Sequence, residues 1–341
     1  MKAVVMTKFG DADVLEVREA ETPKPKAGEL LIRIEAAGLN RLDHYIREGG
    51  VNPDLPFPFI LGSDAVGTIA ELGEGVSGFE IGDRVIPMPG YPTDPSDDGG
   101  DVMSAAPSYA IRGIAENGSY AEYMTAPARW TLKDATGLSA VEVATLPMPL
   151  VTAVRAVKTV GEVKKGDKVL IHAGASGTGS TMIQVAKALG AEVAVTLRSS
   201  SKSDFVKSLG ADLVAISSEE GFLDQIREWS DGGVDAVVDN LGGPSLAQSL
   251  DVTKPLGIVV LMGNVLGLES TVPVRSIFFP QRQIRGTLMG DVADLEWGLE
   301  QVRKGTIKPS LDRTFRLEEA VEAHTMLAQG DACGNLVFDV R

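Results

Sequence analysis

The sequence predicts an α/β protein in two parts: a mostly antiparallel part made of short β-strands, and a doubly wound part in which parallel strands alternate with helices. Three observations predict it. Up to about residue 127 the chain is rich in glycine and proline and carries short runs of alternating apolar and polar residues, the pattern of half-buried antiparallel strands. From about residue 167 short apolar runs alternate with helical patterns, as in parallel sheets covered on both faces. A glycine-rich turn joins the first of those runs to the first helix. The 341 residues suffice for about two domains of roughly 150 residues each.

In the first part, residues 29–35 (ELLIRIE) and 67–72 (GTIAEL) read as strands. Residues 89–108 (PGYPTDPSDDGGDVMSAAPS) are too polar and too interrupted by proline and glycine for a core element, and read as a surface excursion. Residues 168–172 (KVLIH), 192–197 (EVAVTL), 212–216 (DLVAI), 235–239 (DAVVD) and 258–262 (IVVLM) are the expected parallel strands. Between the first two, Met182, Val185, Ala186 and Leu189 recur at helical spacing and give one apolar face. Further on, residues 284–290 (IRGTLMG) are strand-like, 295–302 and 317–327 are helical, and NLVFDV closes the chain.

Composition narrows the function. A hydrophobic fraction of 44% with 23% charged residues excludes global disorder. The net charge of −15 repels phosphate backbones and anionic lipid, so neither nucleic acid nor a membrane surface is an expected partner. A single cysteine, Cys333, excludes an intrachain disulfide and every cysteine-rich zinc site. His44, His172 and His324 are too dispersed to supply a histidine cluster from adjacent positions. No signal-peptide pattern opens the chain and no run approaches about 20 uninterrupted apolar residues, so a cytoplasmic protein is expected.

The turn HAGASGTGS follows the first parallel strand and opens the first amphipathic helix, the context in which backbone N–H groups and a helix N-terminus hold a pyrophosphate. Gly174, Ser176, Gly177, Thr178 and Gly179 are the expected contacts, with Ser176 standing where the G-x-G-x-x-G pattern has its second glycine. At the end of the second strand an acid would favour NAD by accepting from the ribose hydroxyls. Here Leu197 is followed by Arg198, Ser199, Ser200, Ser201 and Lys202. These donors suit a 2′-phosphate, so Arg198, Ser199 and Lys202 predict NADPH; the alternative is a solvated loop of charge and serine.

HAGASGTG with ALGAEV, SLGAD, VDAVVDNLGG and VLMGN resembles the medium-chain dehydrogenase/reductase superfamily, as do FPFILGSDAVGTIAELGEGVSGFEIGDRV, NGSYAEYMTAP and KGTIKPSLDRTFRLEEAVEAH. The resemblance covers nearly the whole chain. It implies a GroES-like catalytic domain, a Rossmann domain and a cleft at their junction for nicotinamide and substrate. The expected domains are 1–127 for the first part of the catalytic domain, 128–267 for the Rossmann NADP-binding domain and 268–341 for the C-terminal part of the catalytic domain.

Zinc members of the superfamily have a cysteine where this chain has Asn40, a G-H-E motif at Gly62, Ser63 and Asp64, and a third ligand near Met148; their structural zinc lobe would fall in 89–108, which has no cysteine. The resemblance therefore implies no metal. It points to the zinc-free quinone oxidoreductase branch, zeta-crystallin-like, whose N-x-x-D-x-Y-I-R-x-G pattern is met by Asn40, Asp43, Tyr45, Ile46, Arg47 and Gly49, and whose G-S-D is met by residues 62–64. His44 stands where the branch varies, and the 89–108 segment is longer than its usual connection.

The resemblance implies hydride transfer from NADPH to a quinone or conjugated enone, with Asn40 and Tyr45 as donors to the substrate oxygen and Asp43 as an orienting group. A tyrosine phenol is a neutral donor at pH 7. The structural alternatives are that Asn40 and Asp43 only cap the following helix and that Tyr45 is an aromatic wall. His172, inside an apolar strand, reads as a satisfied core histidine. By resemblance Asn240, Gly263 and Asn264 lie along the ribose and nicotinamide and Thr152 near the carboxamide. Phe278 and Phe279 either line the substrate pocket or belong to a strand-pairing interface of a homodimer. Two other functions stay open: a zinc-free enoyl-thioester reductase, for which no basic tract is evident, and an NADPH-binding, crystallin-like protein with little turnover.

Overall fold

A computed structural model describes residues 1–94, 96–97 and 102–341. The chain divides into one unit of Met1–Met148 with Pro309–Arg341 and a second of Pro149–Lys308.

The first unit is built on a 7-stranded sheet around the long strand Glu29–Leu39, which pairs antiparallel with Val66–Leu72, Tyr123–Pro127 and Asn335–Asp339. The sequence placed only residues 29–35 in this strand. It runs to Leu39 because the C-terminal strand continues the ladder, with Leu39 opposite Leu336 and Ala37 opposite Phe338. Arg84–Pro87 and Thr131–Lys133 extend the sheet on one side, and Leu311–Phe315 lies parallel to Asn335–Asp339 on the other. A 3-stranded sheet of Leu15–Glu19, Lys2–Met6 and Phe59–Ile60 accompanies it. Met6, Leu30, Ile32, Leu61, Tyr120 and Phe338 belong to a single buried core. Each such side chain contributes about 1.5–3 kcal/mol on burial.

The excursion at 89–108 is not wholly loop. Gly90–Pro92 pairs with Tyr109–Ile111 and closes its base, and Tyr91 is buried. Residues 95 and 98–101 of that segment lie outside the described residues.

The second unit carries a 6-stranded parallel sheet in the order Leu213–Ile216, Glu192–Leu197, Lys168–Ile171, Val234–Asp239, Thr253–Leu261, Gln283–Gly286. Chain order reverses between Lys168–Ile171 and Val234–Asp239, the 3-2-1-4-5-6 arrangement of the doubly wound dinucleotide fold. Leu170, Ala194, Val237 and Val259 are buried in its core with Ile226 and Leu250 of the covering helices.

The unit boundaries differ from those read off the sequence. Residues 268–308, expected in the catalytic domain, belong to the second unit, because Gln283–Gly286 is the sixth parallel strand, with Ile284 opposite Val259. The helix Val292–Arg303 is also tied there: Arg155 Nη1 donates to Asp291 Oδ2 at 2.6 Å and Thr159 Oγ1 to Asp294 Oδ1 at 2.6 Å. Residues 128–148 belong to the first unit, since Thr131–Lys133 extends its sheet. The run Ala140–Val160 is long and apolar enough to cross a membrane by length and composition, but 89% of its window is buried inside the protein, as for a core helix.

Candidate functional site

In the second unit the strand Lys168–Ile171 leads through His172 and Ala173 into the helix Gly177–Ala188. Ser176, in place of a glycine, is the N-cap: its Oγ accepts the Gly179 N–H at 3.1 Å and donates to the Ala173 carbonyl at 2.9 Å. Such a cap contributes about 1 kcal/mol and leaves other first-turn N–H groups, at Gly177 and Thr178, for an anion. Gly174 is required by close packing, since a Cβ there would stand 2.8 Å from Val195. At Gly179 a Cβ would collide with the Ala173 carbonyl.

The second strand reaches this turn, because Gly174 N donates to the Thr196 carbonyl at 3.2 Å. Arg198 and Ser199 follow two and three residues on and are exposed; Lys202 is half-buried. Ser199 and Ser201 share a hydrogen bond of 2.9 Å.

Asn240, Gly263 and Asn264 are brought together at the ends of the adjacent strands Val234–Asp239 and Thr253–Leu261. Gly263 packs against the Asn240 backbone so closely that a Cβ would overlap its carbonyl, and a Cβ on Gly242 would lie 2.9 Å from the Asn264 Cα. Asn240 Oδ1 is a buried acceptor with no protein partner among the described residues. Thr152 is buried, its hydroxyl directed at Met289 Sδ at 3.9 Å. Phe278 and Phe279, at the C-terminal end of the helix Arg275–Phe278, are 63% and 68% exposed. His172 is a core histidine as expected, 2% exposed with both ring nitrogens bonded.

In the first unit a second constellation forms at the start of the helix Arg41–Arg47. Asp43 sits at the third helical position and accepts the Asn40 N–H at 2.7 Å, and with the Asn40 side chain it forms a capping box. The Asn40 Nδ2 also donates to Asp64 Oδ2 at 2.9 Å, and Asp64 Oδ1 accepts the Met148 N–H at 2.8 Å. Tyr120 donates its hydroxyl to Asp43 Oδ2 at 2.7 Å. All four side chains are buried.

Burial pushes the Asp43 carboxyl up to about 6, against the pull of the Asn40 N–H and the Tyr120 hydroxyl. Burial pushes Asp64 further, to about 8, with the Asp43 charge adding to it while Asn40 and Met148 oppose. Tyr120, desolvated beside Asp43, is held well above the ordinary phenol range.

Asp43 therefore holds the Asn40 backbone while capping the helix. Tyr45 is half-buried, with Arg41 5.7 Å over its ring and no protein partner for its hydroxyl among the described residues. His44 is engaged: its Nδ1 accepts from Arg47 Nη2 at 2.9 Å, and burial lowers its pKa. Asp64 and Tyr120 were missed by reading the sequence as functional residues, although both lie in quoted motifs, G-S-D and NGSYAEY. A charged residue next to a glycine and a serine in a largely apolar stretch was the available signal at Asp64.

The groups at Asn40, Ser63 and Met148 do not fit a zinc ion. Asn40 Nδ2 presents a proton toward Asp64 and Ser63 Oγ donates to the Arg112 carbonyl at 2.8 Å, and none of the three side chains is a thiolate or an imidazole.

Residues 26–136 match the family described as alcohol dehydrogenase GroES-like domain, and residues 177–304 the family described as zinc-binding dehydrogenase. An alcohol dehydrogenase of Geobacillus stearothermophilus is 30% identical, the match covering 100% of this chain and 99% of that protein. An acryloyl-coenzyme A reductase of Sulfurisphaera tokodaii is 30% identical, covering 99% of each, and a quinone oxidoreductase of Rattus norvegicus 28% identical, covering 95% and 93%. A solved structure described as an NAD-dependent alcohol dehydrogenase matches with a TM-score of 0.92 at 33% identity, covering 100% of both chains.

Proposed function

We propose, from the premise that this chain belongs to the medium-chain dehydrogenase/reductase superfamily in its quinone oxidoreductase-like branch, that it transfers hydride from NADPH to a quinone or conjugated enone without zinc. The observation that carries the zinc-free reading is the bond from Asn40 to Asp64, which puts an amide donor where zinc relatives have a thiolate.

Bound NADPH supplies the hydride from its C4. The second unit would hold its pyrophosphate at the Ser176-capped helix N-terminus, and Arg198, Ser199 and Lys202 would hold the 2′-phosphate. In the first unit, prepositioned donors would stabilise the negative charge that a substrate carbonyl oxygen gains on reduction. Asn40 has a second amide proton beyond the one given to Asp64, and the Tyr45 hydroxyl is uncommitted among the described residues, so both serve as donors. Asp43 and Asp64 hold Asn40 by backbone and side chain, which removes the reorganisation such a donor otherwise needs.

Reduction of an enoyl thioester is the second reading, favoured by the likeness to a protein named acryloyl-coenzyme A reductase. NADPH oxidation followed against para- and ortho-quinones, 2-alkenals and crotonyl-CoA separates the two. Fastest turnover with quinones or enals supports the first; fastest turnover with crotonyl-CoA supports the second. Tight NADPH binding without turnover of any acceptor contradicts both and supports a binding protein.

A homodimer is part of this proposal. Gln283–Gly286 is the outermost strand of its sheet, and Phe278, Phe279, Ile284 and Leu288 are exposed around it, a combination suited to edge-to-edge pairing of two copies.

A further inference from the structure

The His172 ring sits in a chain of hydrogen bonds whose direction is fixed from one end. Ser249 has one hydroxyl proton, and its Oγ donates it to Asp239 Oδ2 at 2.8 Å. The His172 Nε2, 3.0 Å from the same Oγ, must therefore carry the ring proton and donate it. Nδ1 is then an acceptor, and Thr196 Oγ1 donates to it at 2.9 Å. With its own proton given to the ring, Thr196 Oγ1 accepts the Ala173 N–H at 3.3 Å.

Each end of this chain stops at a turn. Ala173 has φ of 49°, the left-handed region that a non-glycine residue occupies only when its surroundings impose it, and it leads directly into Gly174. At the other end Asp239 Oδ1 accepts the N–H groups of Leu241 and Gly242, both at 3.0 Å, and so shapes the turn that presents Asn240. The two turns end the strands Lys168–Ile171 and Val234–Asp239, between which the strand order reverses; ligands of doubly wound sheets bind at that point.

We propose that His172 is a positioning residue for dinucleotide binding: through Thr196 and through Ser249 with Asp239 it fixes the glycine-rich turn and the Asn240 turn relative to each other. This rests on the reading of the second unit as the dinucleotide site. The ring is held neutral by burial, which lowers its pKa against the opposing charge of Asp239.

The test uses the full-length protein. With only three histidines in the chain, the long-range 15N–1H spectrum of the imidazole rings is readily assigned through His172→Gln. The expected ring signature is a proton on Nε2. In His172→Leu and Thr196→Val the dissociation constant and KM for NADPH or NADH, whichever binds wild type more tightly, rise about tenfold, the effect of one buried group left without its partner. Their kcat at saturating cofactor falls less than about threefold. His172→Gln, whose amide restores a donor toward Ser249, recovers part of the loss.

A proton on Nδ1, or cofactor constants within twofold of wild type in folded variants, overturns the proposal. Should His172→Leu fail to fold, Thr196→Val and Ser249→Ala carry the same comparison. If wild type binds neither dinucleotide, the reading of the unit fails first and this proposal with it; if wild type binds and the variants bind equally well, only this proposal fails.

Discussion

Asn40 donates its side-chain amide to the Asp64 carboxyl at 2.9 Å, with both residues buried. Asp43 holds the Asn40 backbone at the same time, so one asparagine is fixed from both ends. The Asp64 carboxyl, which also takes the Met148 N–H, is thereby a structural acceptor at a position where its own ionisation is costly.

That cost has a sign. The folded-state pKa of Asp64 is raised to about 8 from an ordinary 3.8, so the native state binds more protons than the unfolded chain between those values. Its contribution is fully present below pH 3.8 and is lost as pH rises to about 8. Asp64→Asn removes this titration while keeping a carbonyl acceptor. Urea unfolding at pH 5, 7 and 9 is expected to show the variant gaining on wild type as pH rises toward 8, by at most about 1.4 kcal/mol per unit. A difference independent of pH contradicts the assignment.

His324 acts in the opposite direction. It is fully buried, its two ring nitrogens have no hydrogen-bond partner among the described residues, and burial, with Arg47 and His44 adding to it, lowers its pKa to about 3. The unfolded chain binds the extra proton between pH 6.5 and about 3, so stability falls as pH drops through that window. His324→Phe, packed beside Tyr120, is expected to gain on wild type between pH 7 and pH 5 in the same unfolding measurement.

Cofactor choice is expected to depend on the cations beyond the second strand. Arg198→Ala with Lys202→Ala should lower kcat/KM for NADPH by about tenfold or more and leave that for NADH within about twofold, since only the 2′-phosphate loses its partners. A wild-type preference for NADH, as in the relative described as NAD-dependent, would sink the NADPH assignment.

Tyr45→Phe separates a donor from an aromatic wall. Because the hydroxyl has no protein partner among the described residues, the melting temperature should not change. Turnover with a poor acceptor such as a 2-alkenal is expected to fall on the order of tenfold or more. An unchanged kcat would assign Tyr45 to the wall alone.

The parallel sheet and its glycine-rich turn were legible in the sequence for a physical reason. A parallel strand buried on both faces is an apolar run, and the close packing at Gly174 and Gly179 leaves no room for a Cβ, so composition there records geometry directly. Gln283–Gly286 was assigned to the wrong unit because an edge strand is covered less and keeps polar residues, here Gln283 and Arg285. The Asn40 and Asp64 pair was half legible. Asn40 announced itself by standing in place of a thiolate, but Asp64 reaches it across 24 positions, a contact that no local pattern encodes.

The most direct test of metal-free reduction is kcat/KM for a para-quinone with NADPH, measured before and after exhaustive chelation on protein whose metal content is checked by emission spectroscopy. The expected result is acceptor-dependent NADPH oxidation at an unchanged rate with zinc below stoichiometric levels. Activity that is lost on chelation and restored by added zinc would contradict it.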